Sequence, residues 1–291
     1  MSTDLTEEQI QTILQGISIP PQPQVMVDLQ MEQLQPDCDM GEIARLISQD
    51  VGLSGSILKT VNSPHFKLTN TITSIEQAVN LLGAKSVVNL VNAHSIRGAL
   101  SDDDIIALGR FWDNAMEIAM TAAIIAKQIG YPHPDEAYTL GLFHNAGIPL
   151  LTSRIKNYSE VIQRAYACNY RRITETENEE INTNHAVVGY YIAKSWNLPG
   201  YMCEAIHEHH HVAKALNDEH GDSKKKTLLA ILKMAENCCS AYRTLGGSTE
   251  DHEWGGIKDA VLIYCGLTEY EYSALKEQIS EMGLGNTDYY S

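Results

Sequence analysis

Apolar residues recur at steps of three and four positions along almost the whole chain. Ile43, Leu46 and Ile47 show this spacing, and the run from Val87 to Val91 repeats it. Such steps place apolar side chains on one face of an α-helix, whereas a half-buried strand requires strict alternation. Convincing alternation is absent from the sequence, so we predict an all-α protein.

Signals for helix starts and ends agree with this prediction. Asp39-x-x-Glu42 and Ser74-x-x-Gln77 have the pattern of capping boxes, and Gly83 is suited to end the second of these helices. We predict helices over residues 4–15, 24–35, 40–49, 53–62, 75–82, 84–99, 104–129, 135–154, 158–168, 179–195, 200–213, 225–244, 255–265 and 268–282.

The acidic turn at residues 101–104 is the best boundary between two parts of the chain. We predict an N-terminal helical lobe over residues 1–100. Residues 101–291 then form a second lobe, which carries the histidines and the C-terminal helices.

The charge balance limits the partners of the chain. It has 37 acidic and 21 basic residues and a formal net charge of −16 at pH 7. Such a surface repels nucleic-acid phosphates and anionic lipids, so we predict neither as a partner. The N-terminus lacks the pattern of a secretory signal, and the densest apolar run, residues 115–126, is too short to span a bilayer. We therefore predict a cytoplasmic protein without a membrane segment.

The most informative segment is Gly141-Leu-Phe-His-Asn-Ala-Gly147. His144 and Asn145 lie side by side in a strongly apolar stretch that we predict as helix, and a buried imidazole and amide need partners. Gly141 and Gly147 lack side chains, so another helix or a ligand can come close. A lone histidine here is commonly a core residue bonded to a backbone carbonyl, but further histidines follow.

The second group of histidines lies downstream. His185 opens an amphipathic helix, and His207-Glu-His-His-His211 ends the next one. On a continuous helix His207 shares a face with His210 and His211, while His209 points elsewhere. A pair with this spacing can bind one metal ion, and a solvated polar helix end explains it equally well.

Two further polar residues are candidates for the same site. Glu236 follows the apolar face of residues 229–235 and could offer a carboxylate to a cation, although an exposed or ion-paired glutamate is more frequent. Asn114 lies near the start of the long helix that precedes His144. By itself it is a capping or hydrogen-bonding residue.

Residues 17–213 resemble the HDOD domain family, a divergent branch of the HD metal-dependent phosphohydrolase superfamily. The resemblance rests on ordered segments over about two thirds of the chain. These segments include Pro20-Pro-Gln-Pro23, Leu58-Lys-Thr-Val-Asn-Ser-Pro64, Ser74 to Gly83, Phe111-Trp112, Gly141 to Gly147, His185-Ala-Val-Val-Gly189, Trp196-Asn-Leu-Pro199 and Ala205-Ile-His-Glu-His-His210. The resemblance implies one continuous all-α domain, with an HD-like helical core and an additional N-terminal helical lobe.

The resemblance also implies a set of site residues. Catalytic HD proteins bind one or two metal ions with an early histidine, a His-Asp doublet and a late aspartate, and related cyclic-dinucleotide phosphodiesterases add further histidines. His144 keeps the histidine of the doublet, but Asn114 and Asn145 stand where the early histidine and the doublet aspartate are expected. Glu236 lies at the late aspartate. His185, His209 and His210 match the additional histidines.

Two neutral amides in these positions weaken a dinuclear site, because a bridging aspartate supplies the charge that offsets the repulsion between two cations. His144, His185, His209, His210 and Glu236 could still hold one divalent ion of manganese, iron, nickel or zinc. We identify no catalytic residue.

Two functions remain open. The first is a bacterial-type signal-transduction or regulatory module that binds a protein partner or a small signalling ligand. The second is a residual metal-dependent phosphohydrolase acting on a nucleotide or cyclic dinucleotide. If the pocket is purely structural instead, we expect His144 and Asn145 to bond with Asn114 across a helix interface.

Overall fold

The structure is a computed structural model. It describes residues 24–33, 35, 37–49, 51–62, 68, 71–84, 86–88, 90–91, 109–195 and 198–285. Every regular element within these ranges is a helix, which confirms the all-α prediction. The predicted helix over 4–15, the Pro20-Pro-Gln-Pro23 segment and the boundary at 101–104 lie outside the described residues.

The helices are named here in chain order. They are α1 Gln24–Gln33, α2 Met40–Ser48, α3 Val51–Val61, α4 Ile75–Leu82, α5 Gly109–Gln128, α6 Pro134–Phe143, α7 Gly147–Arg154, α8 Tyr158–Ala167, α9 Ile173–Ile181, α10 His185–Ser195, α11 Gly200–Glu208, α12 Val212–Asn217, α13 Ser223–Cys238, α14 Ala241–Gly246, α15 His252–Cys265 and α16 Glu269–Glu281. None of the described helices is long and apolar enough to cross a membrane.

The described residues form two compact units, 24–91 and 109–285. In the first, α2 packs against α1, α3 and α4 and buries the apolar face predicted from its spacing. The Asp39 side chain accepts a hydrogen bond from the Gly41 amide and caps α2. Gly83 ends α4 with a positive φ of 78°, as its position in the sequence predicted.

The second unit is built around α5 and α13. Helix α5 packs against α6 and α13, and α13 also contacts α11 and α15. Gly141 makes the first of these contacts close, because a Cβ there would lie against the backbone of Ala119 in α5. The centre of α13, including Leu229 and Ile231, is fully buried. Helices α6 and α11, which lead into His144 and His209, therefore pack against a buried apolar centre.

Four long helices predicted from the sequence are interrupted in the structure. Turns at 144–146, 182–184, 209–211 and 239–240 divide the predicted spans 135–154, 179–195, 200–213 and 225–244. Asn182 and Ser240 adopt left-handed backbone conformations, which end one helix before the next begins. Apolar periodicity continues through such a turn, so it could not reveal these breaks.

Candidate functional site

Two of the interruptions present histidines to the interior. Helix α6 ends at Phe143, and His144 is its C-cap. The sequence analysis had placed His144 within a helix, so this prediction was wrong. Helix α7 begins at Gly147, and a Cβ on Gly147 would collide with the carbonyl oxygen of His185 at the start of α10. The missing side chain therefore brings the backbone of α10 next to the turn that carries His144.

Backbone carbonyls orient two of the four histidines in this region. The Nδ1 atom of His144 lies 2.7 Å from the Gly141 carbonyl, and that of His209 lies 2.6 Å from the Ile206 carbonyl. A carbonyl oxygen only accepts hydrogen bonds, so both rings carry their proton on Nδ1. The Nε2 atom of each ring points away from its carbonyl and is the nitrogen that faces other side chains.

Carboxylates orient the other two histidines. His185 Nδ1 lies 2.7 Å from Glu177 Oε2, and His210 Nδ1 lies 2.8 Å from Glu253 Oε1. Glu177 is fully buried and its other oxygen accepts the Tyr158 hydroxyl at 2.6 Å. Such a carboxylate fixes the tautomer and the orientation of a metal-binding histidine ring.

The Nε2 atoms of three histidines meet at one point. His185 Nε2 lies 3.2 Å from His209 Nε2 and 3.0 Å from His210 Nε2, and the three donor atoms lie within 4.8 Å of one another. A tetrahedral zinc ion with bonds of about 2.0–2.1 Å separates its histidine nitrogens by about 3.3 Å. The three rings, which we call the histidine triad, thus match the spacing of ligands around one ion.

The protonation of the triad favours a cation at its centre. Burial, together with the neighbouring positive groups, holds the pKa of His209 and of His210 well below the usual range, so both rings are neutral at pH 7. With Nδ1 bonded to the Ile206 carbonyl and to Glu253, the neutral rings of His209 and His210 each direct an unprotonated Nε2 atom toward His185 Nε2. Two such nitrogens can bind a divalent metal ion together with His185, so the triad fits a divalent metal ion.

The other half of the site consists of His144, Glu236 and Lys233, and its composition differs from that of the triad. His144 Nε2 is buried without a hydrogen bond and lies 3.4 Å from Glu236 Oε1. The buried ammonium of Lys233 lies 2.8 Å from Glu236 Oε2 and 2.9 Å from Glu253 Oε2. This half therefore already contains a positive charge of its own.

The pKa shifts of Glu236 and Lys233 agree with a pairing of opposite charges. Burial opposes ionisation of Glu236, but Lys233 and His144 outweigh it and lower the pKa of Glu236 to about 2. Burial likewise opposes the charge on Lys233, but Glu236 and Glu253 outweigh it and raise the pKa of Lys233. Both groups are charged at pH 7. The positive charge of Lys233 therefore neutralises Glu236, the carboxylate that a second metal ion would need as a ligand.

Asn114 and Asn145 are both buried but differ in their contacts. Asn145 is 2% exposed and its Oδ1 has no hydrogen-bond partner among the described residues. Asn114 on α5 donates from Nδ2 to the Cys239 carbonyl at 3.4 Å. The bond expected between Asn114 and His144 or Asn145 in a purely structural pocket is therefore not the one that Asn114 forms.

The structure corrects one prediction and adds three residues. Helix α11 ends at Glu208, so His207 and His211 do not share a helical face with His210, and the exposed His207 lies against the Tyr190 ring instead. His209, which the helical spacing had directed elsewhere, faces His185 together with His210. The sequence analysis did not identify Glu177, Glu253 or Lys233 as part of the cluster.

Comparison with known proteins identifies the family of this chain. A family model described as "HDOD domain" matches residues 19–212, in agreement with the span of 17–213 inferred from the motifs. A curated protein of Treponema pallidum (strain Nichols), described as uncharacterized, is 28% identical over 241 residues. The match covers 79% of this chain and 43% of that protein, so the chain spans less than half the length of this relative.

Solved structures share the fold. A crystal structure from Shewanella amazonensis SB2B, named "Putative phosphohydrolase", is 24% identical with a TM-score of 0.67 and covers 94% of this chain and 95% of its own. A second, from Marinobacter aquaeolei VT8 and named "Putative signal transduction protein", is 18% identical with a TM-score of 0.65. That match covers 93% of this chain and 58% of the other. At these identities the likeness establishes the fold alone.

Proposed function

The chain belongs to the HDOD domain family, and on that premise we propose that it is a signal-transduction or regulatory module with a degenerate, non-catalytic HD site. The observation that carries the proposal is the ammonium of Lys233, which lies 2.8 Å from Glu236 in the interior of the site. A cation supplied by the protein takes the electrostatic place of a metal ion but has neither an exchangeable coordination position nor a bound water.

The neutral amides support the same conclusion. Catalysis by paired metal ions requires a bridging anion and an activated water between the ions. Asn145 offers one neutral oxygen where the superfamily has a carboxylate, and Asn114 has turned its amide to the Cys239 carbonyl. With Lys233 paired to Glu236 and neutral amides at these two positions, the region around His144 lacks the negative charge to hold a second ion.

One divalent ion of manganese, iron, nickel or zinc remains part of the proposal. His185, His209 and His210 would hold it, and His144 and Glu236 complete the candidate set at the border of the triad. When bound, the ion would supply a strong positive charge at the junction of α10 and the segment that follows α11. The protein's own contribution is to orient the rings through Glu177, Glu253 and two carbonyls.

The alternative is a residual metal-dependent phosphohydrolase. It is favoured by the four histidines that the fold brings together and by the name of the Shewanella amazonensis structure. A three-histidine site can support hydrolysis with a single metal-bound water. We place this reading second because Lys233 and the two amides reduce the attraction for a second cation.

A combined measurement of metal content and hydrolysis tests the proposal. The chain of residues 1–291, purified without a histidine tag, should contain no more than one transition-metal ion per chain. It should not hydrolyse bis-p-nitrophenyl phosphate above the buffer rate in manganese, nickel or iron. His144→Ala and the exposed His220→Ala serve as a matched pair. Two bound ions, with turnover that His144→Ala abolishes and His220→Ala leaves intact, would replace the proposal by the alternative.

A regulatory module requires a binding partner, and we propose a protein or a small signalling ligand in this role. The charge of −16 argues against nucleic acid and anionic membranes. We also propose a cytoplasmic location. The longer relative from Treponema pallidum indicates that such a domain can be part of a larger protein.

A further inference from the structure

The rings of the histidine triad are closed off from solvent. The side chains of His185 and His210 are 0% exposed, and His209 is completely buried. A metal site needs an entry path as well as ligands. A divalent ion therefore has no direct approach to the triad and has to pass through the 109–285 unit.

A cavity of about 430 Å³ lies beside the triad. Its walls come from the end of α8, the start of α9, residues 210–214 and the first turns of α15. His210 is the member of the triad that lines it. Tyr170 and Gly256, which also line it, are exposed. The cavity therefore joins the protein surface to the neighbourhood of the triad.

Glu253 connects this cavity with the ring of His210. The Glu253 side chain lines the cavity and is 25% exposed, while the His210 ring is not exposed at all. One carboxylate oxygen lies 2.8 Å from His210 Nδ1 and the other 2.9 Å from Lys233 Nζ. The inner end of the cavity is thus closed by a side chain that two hydrogen bonds hold. Such a side chain can move without unfolding of the helices.

A second cavity of about 10 Å³, with room for about one water molecule, adjoins the first. It is lined by Lys233 and Glu236, and also by Asp251 and Glu253, which line the larger cavity as well. Three carboxylates and one ammonium therefore meet where the two cavities adjoin. This excess of negative charge attracts a cation.

The basic residues in the wall of the larger cavity do not reverse this balance. The Arg171 guanidinium is ion-paired with Glu179, and that of Arg172 with Glu175. Lys214 is exposed, so water and salt screen its charge. A cation in the cavity is therefore attracted to the inner end.

Asp251 is a wall carboxylate without a cationic partner among the described residues. Its Oδ1 accepts from the Trp254 amide at 3.0 Å, and its Oδ2 accepts from Asn237 Nδ2 at 2.9 Å. Both donors are uncharged, so they do not neutralise the carboxylate. Asp251 can therefore attract a cation that approaches Glu253.

We propose that this cavity is the route by which a divalent cation enters and leaves the histidine triad, with Asp251 attracting the ion and Glu253 passing it to His210. The inference rests on the one-ion site of the proposed function and assigns a role to residues that do not hold the bound ion. A cation at Glu253 competes with Lys233 and with the His210 N–H for the same carboxylate. Its arrival therefore weakens the two bonds that close the passage.

The rate of zinc uptake tests the role of Asp251. Stopped-flow mixing with a chromophoric zinc indicator measures this rate at low ionic strength. Asp251→Asn should slow uptake about threefold or more, because asparagine keeps the N-cap of α15 and removes the charge. Asp222→Asn, the same change at the exposed N-cap of α13, should leave the rate unchanged. Equal uptake rates in the two variants would overturn the proposal.

Narrowing the cavity is an independent measurement. Gly255 and Gly256 are both exposed in α15, and a Cβ on either meets nothing within 4 Å, but of the two only Gly256 lines the cavity. Gly256→Trp should slow zinc uptake and zinc release to a chelator by the same factor, about fivefold or more, because a route sets both rates and not the affinity. Gly255→Trp should change neither rate. Equal rates in these two variants would contradict the route.

Equilibrium zinc binding separates this inference from the proposed function. A natural chain that binds no zinc would contradict the one-ion site, and the route with it. One bound zinc ion per chain, exchanged at rates that neither Asp251→Asn nor Gly256→Trp changes, would overturn the route alone and leave the site in place.

Discussion

Glu177 and His185 form a carboxylate–imidazole pair that is completely removed from solvent, with Glu177 Oε2 2.7 Å from His185 Nδ1. The other Glu177 oxygen accepts the backbone amide of His185 at 3.1 Å, so a single side chain fixes both the ring and the first residue of α10. The orientation of the triad therefore depends on a carboxylate that does not belong to it.

We expect Glu177→Gln to weaken zinc binding about 10- to 100-fold, because the amide retains a hydrogen-bond acceptor but not the negative charge that strengthens the bond orienting the His185 ring. Competition with a chromophoric chelator measures the affinity. Glu160→Gln, which changes an exposed carboxylate on α8, is the matched control. Equal zinc affinity in both variants would mean that Glu177 does not act on the triad.

Lys233→Met should lower the free energy of unfolding by about 3–5 kcal/mol, because it leaves the buried carboxylate of Glu236 without its cation. The double variant Lys233→Met with Glu236→Gln removes both charges and should recover part of this loss. Denaturant unfolding of the natural chain, of Lys233→Met, of Glu236→Gln and of the double variant gives the coupling energy. Additive losses would show that the two side chains are not energetically paired.

Gly147→Ala should destabilise the protein by about 3 kcal/mol, because the new Cβ collides with the backbone of His185 and nothing nearby is a flexible side-chain end. The matched control is Gly255→Ala, an exposed position within α15 where a Cβ meets nothing within 4 Å. Alanine should stabilise that helix by about 0.8–1.0 kcal/mol. Thermal unfolding of both variants should thus shift in opposite directions, and a parallel shift would refute the steric argument.

Glu117→Gln should make stability less dependent on pH. Burial is the main cause that raises the pKa of Glu117, partly offset by the Gly285 amide, which donates to Oε1 at 2.5 Å. A raised pKa in the folded state means that folding takes up a proton, so the contribution of Glu117 to stability is full below its ordinary pKa of 4.5 and is lost as the pH rises through the folded value.

At pH 7 the Glu117→Gln variant should therefore be more stable than the natural chain, and the difference should vanish below about pH 4.5. Denaturation midpoints at a series of pH values measure this. Glu277→Gln, at an exposed position of α16, controls for the loss of one negative charge from the surface. The same profile for both variants would exclude burial of Glu117 as the cause.

The helical fold follows from local patterns, and these were sufficient to predict it. Apolar spacing gave the helices, and the buried face of α2 is the one its spacing indicated. The turn at His144 was missed because apolar residues continue on both sides of it, with Gly147 as the single local sign of a change. Residues around that turn are held by contacts with α10, which local patterns do not encode.

The residues of the candidate site were likewise predicted only in part from the sequence. Helical spacing associated His207 with His210 and His211, and this was wrong because α11 ends at Glu208. The family resemblance selected His209 and His210, which the structure brings to His185. Glu177, Glu253 and Lys233 could not be found from spacing, because their partners lie on other helices and a buried ion pair has no local signature.

The histidines of the triad and the carboxylates that orient them come from segments that are distant in the chain, with Glu177 before α10 and Glu253 at the start of α15. A nascent or partly unfolded polypeptide cannot present them together, so an ion can be captured only after the last of these helices has docked. Occupancy should consequently leave the rate of folding unaltered and prolong the lifetime of the native state.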